Sequence, residues 1–223
     1  MDASYIDGNV AELRSRIARA CERSSRDPAS VKIIAVTKNL PPRAIRDAIN
    51  CGLTDFAENR VQEAAAKLKQ LADCRNSFKL HFIGHLQSNK ARDALEIADI
   101  IHSVDTMRLA GLINDTAARK VPVLIQVNLA GEESKYGFAG DELDSALSLV
   151  CRLPNLEVLG LMTVAPQVGD AQDLRPMFAS LSKLNQSYNF KELSMGMSDD
   201  FEVAIEEGST MVRIGRAIFG ERS

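Results

Sequence analysis

From Asp7 to about Ser25, Val10, Leu13, Ile17 and Ala20 recur at three- and four-residue intervals with charged residues between them. That spacing predicts an amphipathic helix, ended near Pro28. The pattern then changes to a compact run, VKIIAV at 31–36, whose β-branched content and shortness predict a buried strand. PPRAIRDAINCG follows as a helix, with prolines in its first turn and Gly52 just past its end. The alternation continues to the end of the chain. TDFA (54–57), KLHFIG (79–84), DIIHSV (99–104), VPVLIQVNL (121–129), LEVLGLMTV (156–164), KELSMG (191–196) and TMVRIG (210–215) read as strands or contain one. Between them, RVQEAAAKLKQLA, the stretch after Ser88, MRLAGLINDTAARK, 140–151, 171–187 and DDFEVAIEEG read as helices.

Eight strand centres result, near residues 33, 55, 82, 101, 124, 158, 193 and 212. Strands alternating with helices imply a parallel sheet with right-handed crossovers. Eight such units predict an α/β chain closed into a single (β/α)8 TIM-type barrel with an extra N-terminal helix; an open doubly wound sheet is the alternative. No linker or low-complexity tract divides the chain, so residues 1–223 are expected to form one domain.

Composition narrows the partners. A net charge of −3 with no clustered basic face argues against nucleic acid. No apolar stretch reaches the length of a membrane span, and the start, MDASYIDGNV, has no basic n-region of a secretory signal. The four cysteines are scattered with no CxxC pair, which points to a reducing, cytoplasmic setting.

Barrels of this type keep their chemistry at the carboxyl ends of the strands, often with a phosphate site after strands seven and eight. Strand one ends in AVTK, placing Lys38 at the mouth, where a desolvated lysine can form a Schiff base. Strand seven runs into LSMGMSDDFE. There Gly196 allows close backbone approach, Ser198 or Asp199 can cap the next helix, and that helix's first amides can face an anion. Strand eight runs into RIGRAIFG, where Gly215 and the following amides offer a second anion site and Arg213 needs a buried partner. A solvated lysine, an ordinary helix cap and a structural salt bridge are the plain alternatives for each taken singly. Together, an imine-forming lysine and two adjacent phosphate loops describe a site for pyridoxal 5'-phosphate (PLP). His81 and His85 are spaced as a metal pair would be on a helix, but they bracket a strand end and lack a third ligand, so no metal is expected.

The runs AVTKN (35–39), ENRVQE (58–63), HFIGHLQSNK (81–90), VNLAGEESKYGF (127–138), GLMTVAP (160–166), LSMGMSDDFEVAIEEGST (193–210) and VRIGRAIFG (212–220) closely resemble the YggS-like pyridoxal phosphate homeostasis proteins. Ala57 and Leu80 depart from that pattern, where Gly and Trp are usual, and are expected to change local packing only. The resemblance implies a fold-type III barrel like the amino-terminal domain of alanine racemase. By it, Lys38 carries the Schiff base, while Ser198, Gly215 and Arg216 hold the phosphate, the last two through backbone N–H. Arg213 faces the pyridine nitrogen, Asn59 lies beside the ring, and Met197 and Thr163 stand near the pocket. The function expected is PLP and amino-acid homeostasis by a monomeric carrier or regulator without strong catalysis, with PLP-dependent apo-enzymes as candidate partners. The alternative is an amino-acid racemase. Racemisation wants acid/base groups on both faces of the ring, and Tyr136 and His85 are weak candidates for the second. The chain's end close to strand eight also leaves no room for the second domain of alanine racemase.

Overall fold

A computed structural model describes residues 3–129, 136–139 and 142–221. Its eight strands are β1 (Lys32–Val36), β2 (Asp55–Glu58), β3 (Lys79–Phe82), β4 (Ile100–Val104), β5 (Val121–Gln126), β6 (Leu156–Met162), β7 (Glu192–Ser194) and β8 (Met211–Ile214). All pair in parallel in sequence order, and β8 closes on β1, with Lys32 opposite Met211 and Ala35 opposite Ile214. The open-sheet alternative is thereby excluded.

The helices lie where the periodicity places them: α1 (Ala3–Arg23), α2 (Pro42–Asn50), α3 (Val61–Gln70), α4 (Ala91–Ile97), α5 (Met107–Thr116), α6 (Glu142–Val150), α7 (Arg175–Ser187) and α8 (Phe201–Glu206). A further turn, α9 (Arg216–Phe219), was hidden in the sequence because four residues are too few to show a period. α1 begins at Ala3, before the expected Asp7, and stops at Arg23, just short of Ser25, which adopts a left-handed conformation (φ 54°). It is held to the barrel by the paired bonds of Arg16 to Glu202 (3.1 and 2.8 Å) and by Asn9 Nδ2, which donates to the Ile218 carbonyl at 2.8 Å.

Strand alternation sorts the side chains. Leu80 and Phe82 of β3 enter the apolar layer between sheet and helices, and His81 between them does not. Leu80 thus packs in the outer layer, whereas Ala57 sits with Ile34, Val36, Leu124, Met162 and Met211 inside the barrel. Met195 is likewise fully buried, as expected of core methionines. Gly160 of β6 marks a close approach of two strands. A Cβ there would lie 1.6 Å from the Glu192 carbonyl oxygen of β7, so the backbones must part to admit it. Gly160→Ala is therefore expected to destabilise the fold by about 1–3 kcal/mol or more, read as a lower urea midpoint; an unchanged midpoint would show that β6 and β7 can separate freely.

Candidate functional site

A cleft of about 430 Å3 opens at the carboxyl ends of β1, β7 and β8. Lys38, Met197, Ser198, Arg213, Gly215 and Arg216 line it. Asn59 and Thr163 stand outside its lining. Thr163 is buried and spends its hydroxyl on the Val127 carbonyl at 2.9 Å, so its connection to the cleft is its own carbonyl, which accepts from Arg213 Nη2 at 2.7 Å. Asn59 follows directly after β2, and its Oδ1 is buried with no hydrogen-bond partner among the described residues.

Lys38 sits in a turn just beyond β1 rather than in the strand, and both of its neighbours are tied down. Lys67 of α3 donates to the Thr37 carbonyl at 2.7 Å, to Glu58 Oε1 at 2.7 Å and to Glu63 at 2.6 Å. The Thr37 hydroxyl donates to Glu58 Oε1 at 2.6 Å, and the Asn39 amide to Glu63 Oε1 at 2.5 Å. Asn39 has a φ of 61°, a left-handed position Asn tolerates better than most residues. Glu58 is 1% exposed and belongs to this support. Burial pushes its carboxyl up against the opposing pull of Lys67 and Thr37.

The loops after β7 and β8 meet across the cleft. Ala217 N–H donates to Ser198 Oγ at 3.3 Å. Gly196 (φ 94°) is needed, since a Cβ there would lie 2.7 Å from that of Ala204; Gly215, at φ −111°, has no such strain. Neither Ser198 nor Asp199 caps α8. Asp200 takes the position before the helix and accepts the Met197 amide at 2.6 Å, while Asp199 pairs with Arg216. With its guanidinium also 3.4 Å from Glu221, Arg216 offers the cleft its backbone more than its charge.

Arg213 is 4% exposed. Burial pushes its guanidinium down to about 10, with Asp200 pulling the other way, so it remains protonated at neutral pH. Nη1 donates to Ser194 Oγ at 2.7 Å. Behind Ser194 stand His102, which the sequence reading missed, and His81, which it weighed only as a metal ligand. His102 Nδ1 lies 3.1 Å from Ser194 Oγ, His102 Nε2 lies 2.8 Å from His81 Nδ1, and His81 Nε2 lies 3.0 Å from Asp55 Oδ1. A polar residue alternating with apolar ones in KLHF was the available signal. His81 and His85 therefore serve different places, since His85 Nδ1 pairs with Asp105 at 2.8 Å.

His85 also stacks on Tyr136, with ring centroids 3.7 Å apart. Both line a neighbouring cavity, which meets the Lys38 cleft at Ile83. Lys135 lies outside the described residues. Among the described residues no cluster of three or more His, Cys, Asp or Glu could hold a metal ion, and none of the helices is long and apolar enough to cross a membrane. All four cysteines are free.

His102 gives the fold a pH dependence. Burial, and then the neighbouring His81 and Arg213, hold it well below the ordinary histidine value, so it is neutral when folded. Above about pH 6.5 the ring is neutral in both states and its effect is nil. Below that the unfolded chain binds a proton the folded one refuses. Stability should then fall by up to about 1.4 kcal/mol per pH unit for this group, measured by urea unfolding between pH 7 and 5. A slope unchanged in His102→Leu would show that other groups set it.

A model of the family described as alanine racemase, N-terminal domain, matches residues 8–223. The chain is 43% identical over 222 residues to the pyridoxal phosphate homeostasis protein of Aquifex aeolicus, covering 96% of each chain. It is 41% identical over 226 residues to the Escherichia coli protein of the same name, covering 97% of each. PipY of Synechococcus elongatus, solved with PLP bound, matches with a TM-score of 0.84 and 37% identity, over 96% of this chain and all of that one. Alanine racemase from Corynebacterium glutamicum, at 19% identity and a TM-score of 0.77, shares the fold along 62% of its own length. With the barrel closed, the lysine at its mouth and near-complete alignment to these relatives, the chain belongs to the alanine racemase N-terminal domain family and, within it, to the pyridoxal phosphate homeostasis proteins.

Proposed function

We propose that this chain binds pyridoxal 5'-phosphate at the barrel mouth through Lys38 and serves in PLP and amino-acid homeostasis as a carrier or regulator without strong catalysis. One observation carries the reading: Lys38 lines the same cleft as Ser198, Gly215, Arg216 and the buried Arg213. The lining fits the cofactor, offering an amine for its aldehyde and hydroxyl and amide groups for its phosphate. Its relatives of the same length bear the homeostasis name, and PipY holds PLP.

When bound, PLP supplies an aldehyde that condenses with amines and a pyridine ring that draws electrons from them. The rest falls to the chain. The Thr37–Asn39 turn, pinned by Lys67 and Glu63, aims the Lys38 amine. Ser198 and the backbone at Gly215 and Arg216 would hold the phosphate, with Met197 beside the ring and Asn59 outside the cleft lining. Arg213, anchored from behind by Ser194 and the Thr163 carbonyl, has only donors to present. Beside a pyridine nitrogen it would leave that nitrogen unprotonated, which would weaken the ring as an electron sink. Tyr136 and His85, the candidates for a second proton-transfer group, line the neighbouring cavity, which also favours a carrier over a racemase.

The same reading takes residues 1–223 as one domain, monomeric, in the cytoplasm, handing PLP to PLP-dependent apo-enzymes. The test is the visible spectrum of purified protein incubated with PLP, before and after borohydride. A band removed by borohydride, with the reduced adduct on Lys38, supports the cofactor and its anchor. A colourless protein that cannot be loaded sinks both. Transfer of PLP to an apo-enzyme without conversion of L- to D-amino acids supports the carrier; steady racemisation replaces it with the racemase.

A further inference from the structure

The barrel interior holds a continuous row of polar groups that the cofactor pocket touches at one end only. Ser194 lies on β7 and His102 on β4, strands that are not neighbours in the sheet, so their 3.1 Å contact crosses the inside of the barrel. His81, His102 and Ser194 are all fully buried. Water has no ready access there, and each link must be satisfied by the next.

The ends of the row set its direction. Burial pushes the Asp55 carboxyl up, but hydrogen bonds from His81 and Thr54 outweigh it, and the group sits below its ordinary value as an ionised acceptor. A carboxylate only accepts, so His81 Nε2 carries a hydrogen and donates to it. With one hydrogen on each ring, His81 Nδ1 then accepts from His102 Nε2. His102 Nδ1, left without a hydrogen, accepts from the Ser194 hydroxyl. That leaves the Ser194 oxygen's lone pairs for Arg213, which donates at 2.7 Å.

We propose that Asp55, His81, His102 and Ser194 form a one-directional hydrogen-bond row across the barrel that holds Arg213 in place, making the four of them positioning residues for the cofactor's pyridine ring. The inference rests on the PLP reading above for its last step. The row itself is a property of the chain alone. Its role is to keep the Ser194 oxygen turned to Arg213 as an acceptor, so that the guanidinium is aligned before a ligand arrives.

The chain has three histidines, so a protein labelled with 15N only at histidine reports three rings. Without PLP, His81 and His102 should both appear as Nε2–H tautomers. Ser194→Ala removes the link to Arg213 and should move the ring-nitrogen resonances of His102 and, through it, His81. With PLP, the same variant should still form the borohydride-sensitive band, shifted in wavelength, and bind PLP about tenfold more weakly or worse, the loss that follows from a loosened charged donor. Ser194→Thr, which returns the hydroxyl, should restore the band. Thermal melting confirms that each variant is folded, and if the larger threonine is not accommodated, the Ser194→Ala comparison decides alone. An Nδ1–H tautomer at His102, or a band unshifted in folded Ser194→Ala, overturns the proposal while leaving the PLP reading intact. A wild-type protein that takes up no PLP overturns the PLP reading and with it the pyridine role, whereas the ring-nitrogen spectra still decide whether the row exists.

Discussion

Lys38→Ala should abolish the borohydride-trapped adduct completely and leave PLP held only by reversible contacts, so that gel filtration strips it from the protein. The amine at Lys38 is the group in the cleft able to bond the aldehyde covalently, and no change in the phosphate loops replaces it. The fold should survive. The turn around Lys38 is held by bonds to the Thr37 carbonyl and the Asn39 amide, both of which remain when the side chain is cut at Cβ. The melting temperature of the PLP-free variant should therefore stay close to that of PLP-free wild type. The check is mass spectrometry of the reduced, digested protein beside its absorbance. Retention of a trapped adduct in Lys38→Ala would place the anchor on another lysine and remove the reason for assigning the cleft to PLP.

The largest stability loss is expected from Lys67→Met. The Lys67 side chain is 7% exposed, and its ammonium bonds Glu58, Glu63 and the Thr37 carbonyl. Methionine matches its length but strands the Glu58 carboxylate, whose Oε2 already has no partner among the described residues. Breaking a buried ion pair from one side costs about 3–5 kcal/mol, which for a chain of this size lowers the melting temperature by roughly 6–20 °C. The sign of its pH dependence follows from Glu58. Burial already raises that carboxyl, and losing Lys67 raises it further. Between the unfolded and folded values, the folded state holds a proton that the unfolded state does not, so lowering the pH favours folding. The deficit should narrow from pH 7 to pH 5, and Glu58→Gln in the same chain should recover part of it. A variant melting within a degree or two of wild type would mean that Glu58 reaches water. Because the network flanks Lys38, the variant is also expected to take up PLP more slowly.

Sequence and structure agree most where a short-range rule applies. Each strand centre falls within an observed strand, because β-branched runs bounded by turn residues are local signals. Lys38, Ser198 and Gly215 were findable because a barrel places strand ends at one face and the residues after β1, β7 and β8 could be read directly. What lies beyond such rules is of a different kind. Asp200, rather than Ser198 or Asp199, took the position before α8, since the choice among adjacent polar residues depends on the angle at which β7 delivers the chain. Thr163 was expected near the pocket, and it reaches the cleft through its carbonyl, which accepts from Arg213, while its hydroxyl bonds Val127. His81, weighed with His85 as a metal pair and set aside, has partners from β2 and β4, 26 and 21 residues distant, which no local spacing shows.

By itself the sequence determined the alternation of strands and helices, the closure expected of eight units, the lysine at the mouth and the two loops beside it. Periodicity and turn chemistry act over a few residues, and the family's polar runs lie within single loops. Tertiary structure alone decided what stands behind those residues: the Lys67 network under the Lys38 turn, and the row from Asp55 to Arg213. Those contacts join strands and helices far apart in the chain, and whether a buried polar side chain is a liability or a connection depends on which partner the closed barrel brings opposite it.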